Sequence, residues 1–168
     1  MKAFIPGLAA AFALSACAAT PPPPVANVPP AVVPAPVVHT ILTTKDIKWA
    51  PAPASLPPGA QVALLYGDPG KPEVFVMRLK FREGYVLPPH RHPGTEIATV
   101  ISGTLRLGHG EVVDHAKAQP LNAGSFVALS PGMVHYAMAD TETVMQLSST
   151  GPWSLVYANP ADDPRNKK

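Results

Sequence analysis

The sequence predicts an all-β domain folded as an antiparallel sandwich or small barrel. From residue 37 onward the chain is a series of short apolar runs, with turn residues about every 8 to 12 positions and no helical period. Residues 73–82 alternate between apolar side chains and the cations Arg78, Lys80 and Arg82, which is the pattern of a strand with one buried face. At 168 residues the chain has the length of one such domain, and a jelly roll suits it.

The N-terminal segment is expected to be a secretory signal. Lys2 precedes a short apolar run at residues 3–13, and residues 14–17 (LSAC) resemble the lipobox of bacterial lipoproteins, in which the cysteine is lipidated. The resemblance implies a signal peptide at residues 1–16 and a lipid anchor on Cys17. An ordinary signal peptide cleaved nearby is the alternative.

The lipobox resemblance also implies a location in the bacterial cell envelope, with the protein facing the periplasm. Ala18, rather than an aspartate, follows the cysteine, which by analogy with enterobacterial sorting favours the outer membrane. Residues 17–38 are rich in Pro, Ala and Val and are predicted to be an extended tether, because proline fixes φ and removes backbone donors.

The folded domain is predicted to span residues 39–160, followed by a polar tail at 161–168. Its apolar runs predict strands, in chain order, at residues 46–49, 61–66, 73–82, 96–101, 104–107, 111–114, 125–129, 134–138, 143–148 and 154–157.

Composition excludes several classes of function. The net charge is +2 and the sequence has no basic run apart from its last two residues, so nucleic acid is not an expected partner. One cysteine cannot form an intrachain disulfide. No Gly-rich phosphate loop and no Ser or Cys nucleophile motif is found in the sequence.

Three potential metal ligands cluster in residues 84–103 (GYVLPPHRHPGTEIATVISG). His90, His92 and Glu96 have the same parity, so on an extended segment all three side chains can point to one side. Two imidazoles and a carboxylate make a partial metal site that lacks at least one ligand. His135, which follows the Pro131–Gly132 turn at the start of a return strand, is the best candidate for it.

Together these two stretches resemble the motifs of the cupin superfamily. Gly84, His90, His92, Glu96 and Gly103 match every position of the first motif, in which H-x-H is followed by a glutamate and a glycine. The second motif is matched in part, by the residues Gly124, Gly132 and His135. It departs from the family at Ser130, where cupins have proline, and at Ala139, where they have asparagine.

The resemblance, strongest to small bacterial cupins similar to the zinc-binding cupin of anti-sigma factors, implies a jelly-roll β-barrel with a metal held by His90, His92, Glu96 and His135. Three imidazoles and one carboxylate suit zinc, iron, manganese or nickel, with cobalt and copper also compatible. In a tetrahedral zinc site these four ligands would close the coordination shell, whereas an octahedral ion would keep two positions open.

Other residues are expected around this centre. Strand parity and apolar character give a candidate pocket of Met77, Tyr85, Ala98, Val100, Phe126 and Ala137. Arg91 should face away from the metal. The remaining histidines, His39, His109 and His115, are expected to be solvated.

Two functions fit these observations. The first is an envelope-anchored metal-dependent cupin that acts on a small molecule by oxygenation, isomerisation or hydrolysis. The second is a non-catalytic module that binds or senses a metal or a small ligand. The expected partners are a small-molecule ligand or substrate and the membrane through lipidated Cys17, with a second copy of the chain in a homodimer as a further candidate.

Overall fold

The computed structural model describes residues 39–167. The predicted signal peptide, Cys17 and the predicted tether lie outside the described residues. Within the described part of the chain, strands dominate and form two antiparallel sheets, which confirms the all-β, jelly-roll prediction. No helix in this part of the chain is long and apolar enough to cross a membrane.

Eleven strands are present in residues 39–167. Their bounds are β1 Ala50–Pro51, β2 Ala60–Tyr66, β3 Val74–Phe81, β4 Val86–Arg91, β5 Glu96–Ser102, β6 Thr104–His109, β7 Gln119–Asn122, β8 Phe126–Leu129, β9 His135–Ala139, β10 Thr143–Thr150 and β11 Val156–Tyr157.

The two sheets are interleaved in sequence. One sheet has the order β1-β2-β3-β10-β5-β8, and the other has the order β11-β4-β9-β6-β7. Sequence neighbours such as β4 and β5 therefore belong to different sheets, and β9 is inserted between β4 and β6. This arrangement places residues that are distant in the chain next to one another on paired strands.

Alternating burial along the central strands explains how the core forms. In β3, Phe75, Met77, Leu79 and Phe81 are buried while the intervening residues are half-buried. These side chains pack against inward-facing residues of the opposite sheet, including Leu105 of β6, in one continuous apolar core. The half-buried strand predicted at residues 73–82 is therefore confirmed.

Strand β9 is buried on both faces. Its inward side contributes His135, Ala137 and Ala139, while Tyr136 and Met138 pack beneath the loop that contains Ala118. The Tyr136 hydroxyl donates to the Asp114 carbonyl oxygen at 2.8 Å and accepts from the Asp114 backbone N–H at 3.0 Å. This loop therefore covers the outer face of β9.

Two predicted strands were wrong. Residues 46–49 precede β1, because the Asp46 carboxylate accepts hydrogen bonds from the Thr43 backbone N–H and hydroxyl and fixes a turn instead. Residues 111–114 lie in a loop, and the strand is β7, further along the chain. Strand β7 contains Pro120, whose missing N–H is tolerated because β7 is an edge strand.

The C-terminal residues form two short 3-10 turns, at Pro160–Asp162 and Pro164–Asn166. Arg165 pairs with Asp163 and donates to the Leu155 carbonyl oxygen at 3.3 Å. The segment is thereby tied to the loop before β11.

Candidate metal centre

Strand ends from both sheets bring four polar side chains together. His90 lies in β4 and pairs in register with His135, the first residue of β9. His92 follows β4 directly, and Glu96 begins β5 in the other sheet. All four residues are buried. The turn between β4 and β5 thus lets ligands that are close in sequence approach from two sheets.

The three histidines form a cluster that could hold a metal ion. One ring nitrogen from each of His90, His92 and His135 lies within 4.8 Å of the other two. The ring centroids of His90 and His135 are 4.2 Å apart, and His92 is 4.9 Å from His90 and 5.4 Å from His135. Such spacing allows three imidazoles to coordinate one cation.

Backbone carbonyls fix the orientation of each imidazole. The Nδ1 atom of His90 lies 2.7 Å from the Pro88 carbonyl oxygen, that of His92 lies 2.8 Å from Ser154, and that of His135 lies 3.1 Å from Met133. A carbonyl oxygen can only accept, so each Nδ1 must carry the proton and donate it. The three Nε2 atoms of the neutral rings are then left with lone pairs, as metal ligation requires.

Glu96 adds a carboxylate beside two of these nitrogens. Its Oε2 atom lies 3.2 Å from His92 Nε2 and 3.4 Å from His135 Nε2. Among the described residues this buried oxygen has no hydrogen-bond partner of acceptable geometry. A carboxylate oxygen facing two nitrogen lone pairs is repulsive unless a metal cation or Nε2 protons lie between them. The donor set therefore fits a divalent metal.

Two of the four residues have strongly lowered pKa values. Burial, with smaller contributions from the neighbouring His135 and His92, lowers the pKa of His90 to about 3, so this imidazole is neutral at pH 7. Burial alone would raise the pKa of Glu96, but without a metal the Nε2 atoms of His135 and His92 can be protonated and donate to its carboxylate, which outweighs burial and holds the pKa at about 2. Glu96 is therefore an anion at neutral pH.

The cluster forms part of the wall of a cavity of about 430 Å³. This volume lies within the range typical of small-molecule sites. Most of the wall is apolar and is contributed by strands of both sheets and by two loops: Pro53, Leu56, Val62, Leu64, Met77, Leu79, Phe81, Leu87, Leu105, Leu107, Val127, Leu129, Ala137, Met145, Leu147, Trp153 and Leu155.

The sequence matches the family model described as the ChrR cupin-like domain over residues 37–154. The chain belongs to this cupin family. Solved structures of similar fold include a putative acetylacetone dioxygenase from Methylibium petroleiphilum. Its TM-score is 0.61 at 18% identity, over 79% of this chain and 89% of that chain. The polyketide cyclase RemF from Streptomyces resistomycificus has a TM-score of 0.61 at 14% identity, over 76% and 90%. These two structures show a shared fold.

A curated relative is similar over a shorter stretch. Germin-like protein subfamily 2 member 1 from Arabidopsis thaliana is 34% identical to the cupin over 64 residues, which are 38% of this chain. The match spans only 29% of that relative's length.

The structure brings the four predicted ligands of the cupin together, with three histidines in one cluster and Glu96 in contact with two of them. Of the predicted pocket residues, Met77 and Ala137 line the cavity. Ala98 and Val100 are buried in the core but do not line the cavity.

Two predicted pocket residues have other environments. Tyr85 stacks on Phe81 and donates its hydroxyl proton to the Pro57 carbonyl oxygen, so it packs behind the cavity wall. Phe126 is 64% exposed, which corrects its assignment to the pocket. The physical reason is strand parity, because Val127 and Leu129 of β8 face the cavity and Phe126 alternates outward.

The remaining ionisable residues singled out in the sequence lie away from the cavity. Arg91, His39, His109 and His115 are all exposed. His109 is the register partner of His135 across β6 and β9, yet its side chain is on the surface.

Sequence reasoning missed Trp153 and Ser154, in the loop between β10 and β11. The Trp153 indole stacks on the His92 imidazole with ring centroids 4.0 Å apart, and the Ser154 carbonyl accepts from the same imidazole. An isolated aromatic residue in a loop has no periodicity that could point to a ligand in another strand. Only the closing of the sandwich places it there.

Proposed function

We propose that this cupin holds a divalent transition metal with His90, His92, Glu96 and His135 and acts on a small molecule bound in its cavity. One observation carries the proposal: three imidazole lone pairs and a carboxylate oxygen without a hydrogen bond converge on the wall of a largely apolar cavity. The largely apolar wall strengthens electrostatic interactions at the centre.

The residues of the chain have separable roles in this proposal. The histidines bind the metal through Nε2, and the carbonyls of Pro88, Ser154 and Met133 hold the rings in place. When bound, a divalent metal supplies Lewis acidity toward a ligand oxygen, and iron or manganese supplies redox chemistry as well.

A second candidate is a non-catalytic binding or sensing module. It is favoured by the cavity wall itself, where Glu96 and the three histidines are the only ionisable side chains among the described lining residues. No separate general acid or base therefore faces a bound molecule. The number of open metal positions distinguishes the two candidates, since a catalyst that binds its substrate on the metal needs at least one.

The test is metal analysis of the full-length protein purified from its native host, combined with a spectroscopic count of bound water. We expect about one transition metal per chain, and bound water would favour the catalyst. A closed four-coordinate zinc would favour the binding module. A chain without metal would refute metal binding by these four residues.

The ligand assignment has a matched pair of variants. His135→Ala should lose most of the metal, since it removes one of the three clustered nitrogens. His109→Ala, which alters the exposed register partner of His135, should retain it. Equal metal content in the two variants would refute the assignment.

We also propose that the protein is anchored in the bacterial envelope through lipidated Cys17 and faces the periplasm. The support is the LSAC sequence at residues 14–17 after a short apolar run. Cys17→Ser should move the protein from the membrane fraction to the soluble fraction. Retention in the membrane would refute lipidation.

A further inference from the structure

The chemical class of the ligand follows from the charge of the cavity. The three histidines contribute no charge as ligands, because an imidazole binds a metal through an unprotonated Nε2 while its Nδ1 proton is donated to a carbonyl oxygen. Glu96, which binds a metal as a carboxylate, contributes one negative charge. A divalent cation held by this set therefore leaves a net charge of +1.

Nothing else on the wall compensates that charge. Apart from the four residues of the centre, the described lining residues include no Asp, Glu, Lys, Arg, His, Tyr or Cys. Ser55 and Ser154 are the hydroxyl-bearing residues among them. A net charge enclosed by leucine, methionine and proline side chains is unfavourable, and one negative charge on the ligand cancels it.

The same wall disfavours other classes of ligand. A dianion would reverse the net charge, and its second anionic group would be buried without a partner. A sugar would bury several hydroxyls against side chains that cannot hydrogen-bond. A neutral molecule would leave the positive charge uncompensated.

We propose that the ligand of this cavity is an organic monoanion, such as a monocarboxylate or an enolate, whose anionic oxygen meets the centre and whose body is apolar. This inference rests on the proposed metal-binding function. The anionic end lies beside His90, His92 and His135, and the body extends along Leu105 and Leu107.

The experiment uses the full-length chain loaded with nickel(II), whose charge stays at +2, with metal content measured on the same sample. Four six-carbon probes are titrated by calorimetry: hexanoate, hexan-1-ol, hexylammonium and the dianion adipate. We expect hexanoate to bind at least tenfold more tightly than each of the others, and metal-free protein to lose this preference.

A pair of variants tests the apolar body of the ligand. Ala137→Leu narrows the cavity next to the centre, because Ala137 lines it two residues after His135. It should weaken hexanoate binding at least fivefold, while acetate binding and nickel content stay within twofold. Ala128→Leu, on the exposed side of β8, is the control and should change neither affinity.

The failures are distinguishable. If the chain holds nickel but hexan-1-ol or adipate binds as tightly as hexanoate, the ligand class is wrong and the metal-binding function stands. If the chain holds no nickel or other divalent metal, the proposed function fails and the inference fails with it. Equal loss of acetate and hexanoate binding in Ala137→Leu would refute the placement of the body.

Discussion

Trp153 is expected to set the metal affinity of the centre without being a ligand. Its indole lies almost parallel to the His92 imidazole, at 15° and 4.0 Å between centroids, and meets Phe75 edge-on at 5.6 Å. Its backbone N–H donates to the Pro69 carbonyl oxygen at 2.7 Å. The next residue, Ser154, accepts the proton of His92 Nδ1. One loop thus fixes both the plane and the tautomer of His92.

Replacing Trp153 with alanine removes both aromatic contacts but keeps the backbone hydrogen bond to Pro69. Each aromatic pair stabilises by about 0.5–1.5 kcal/mol beyond the apolar area that it buries, so the free energy of unfolding should fall by at least about 1–3 kcal/mol. Loss of a group that orients a metal ligand typically lowers affinity about 10–100-fold. We therefore expect Trp153→Ala to weaken metal binding by that factor, and Trp153→Phe to weaken it less because a ring remains against His92.

The assay is competition with a chelating indicator, using zinc and the full-length protein at pH 7.5. Trp49→Ala is the control, because this second tryptophan packs under the Lys80 ammonium at 4.5 Å and does not line the cavity. Unfolding by urea separates lost stability from lost affinity. The reasoning is refuted if Trp153→Ala binds zinc as the wild type does, or if Trp49→Ala weakens zinc binding equally.

Two further predictions concern stability. The pKa of His90 falls from 6.5 in the unfolded chain to about 3 in the folded one, so from pH 6.5 to 3 the unfolded state binds a proton that the folded state excludes. Urea unfolding of the metal-free protein should therefore show stability decreasing by up to about 1.4 kcal/mol per unit as pH falls below 6.5. Below pH 4.5 Glu96 adds a loss of the same sign, because its pKa is also lowered, to about 2. A flat profile from pH 6.5 to 4.5, or one unchanged in His90→Gln, would contradict this account. Gly103→Ala should cost more than Gly84→Ala in the same assay, since both glycines have positive φ but only at Gly103 would a Cβ collide with the Glu142 carbonyl oxygen. Equal unfolding midpoints for the two variants would show that this collision is relieved.

The clearest strands and the ligand motif could be predicted from the sequence because both depend on residues close together in the chain. Burial on one face of a strand imposes a period of two, which residues 73–82 display. His90, His92 and Glu96 lie within seven residues of one another in the sequence, so they are recognised as a ligand motif without knowledge of the fold. The prediction failed where local chemistry was ambiguous. The Asp46 side chain stabilises a turn where a strand was predicted. Strand β7 was not predicted; it contains Pro120, which is tolerated because β7 lies at a sheet edge.

The pocket was predicted less well than the ligands. Parity gave the face of each strand, so Ala98 and Val100 were correctly expected to point inward with Glu96. Strand parity could not show which inward-facing residues line the cavity and which are covered by other side chains. Ala98 and Val100 are of the second kind and lie in the packed core. The register of Phe126 was also open, because a four-residue strand that slips by one position reverses every side chain.

The sequence alone determined the class of the fold and the chemical types that converge at the centre, because periodicity and ligand spacing are local properties of the chain. The tertiary structure decided what surrounds them. Only the packing of β9 beside β4, and of the loop after β10 against His92, joins the centre to an apolar cavity and a stacked indole. Those contacts join residues far apart in the chain, and their geometry exists only once both sheets have closed on a common core.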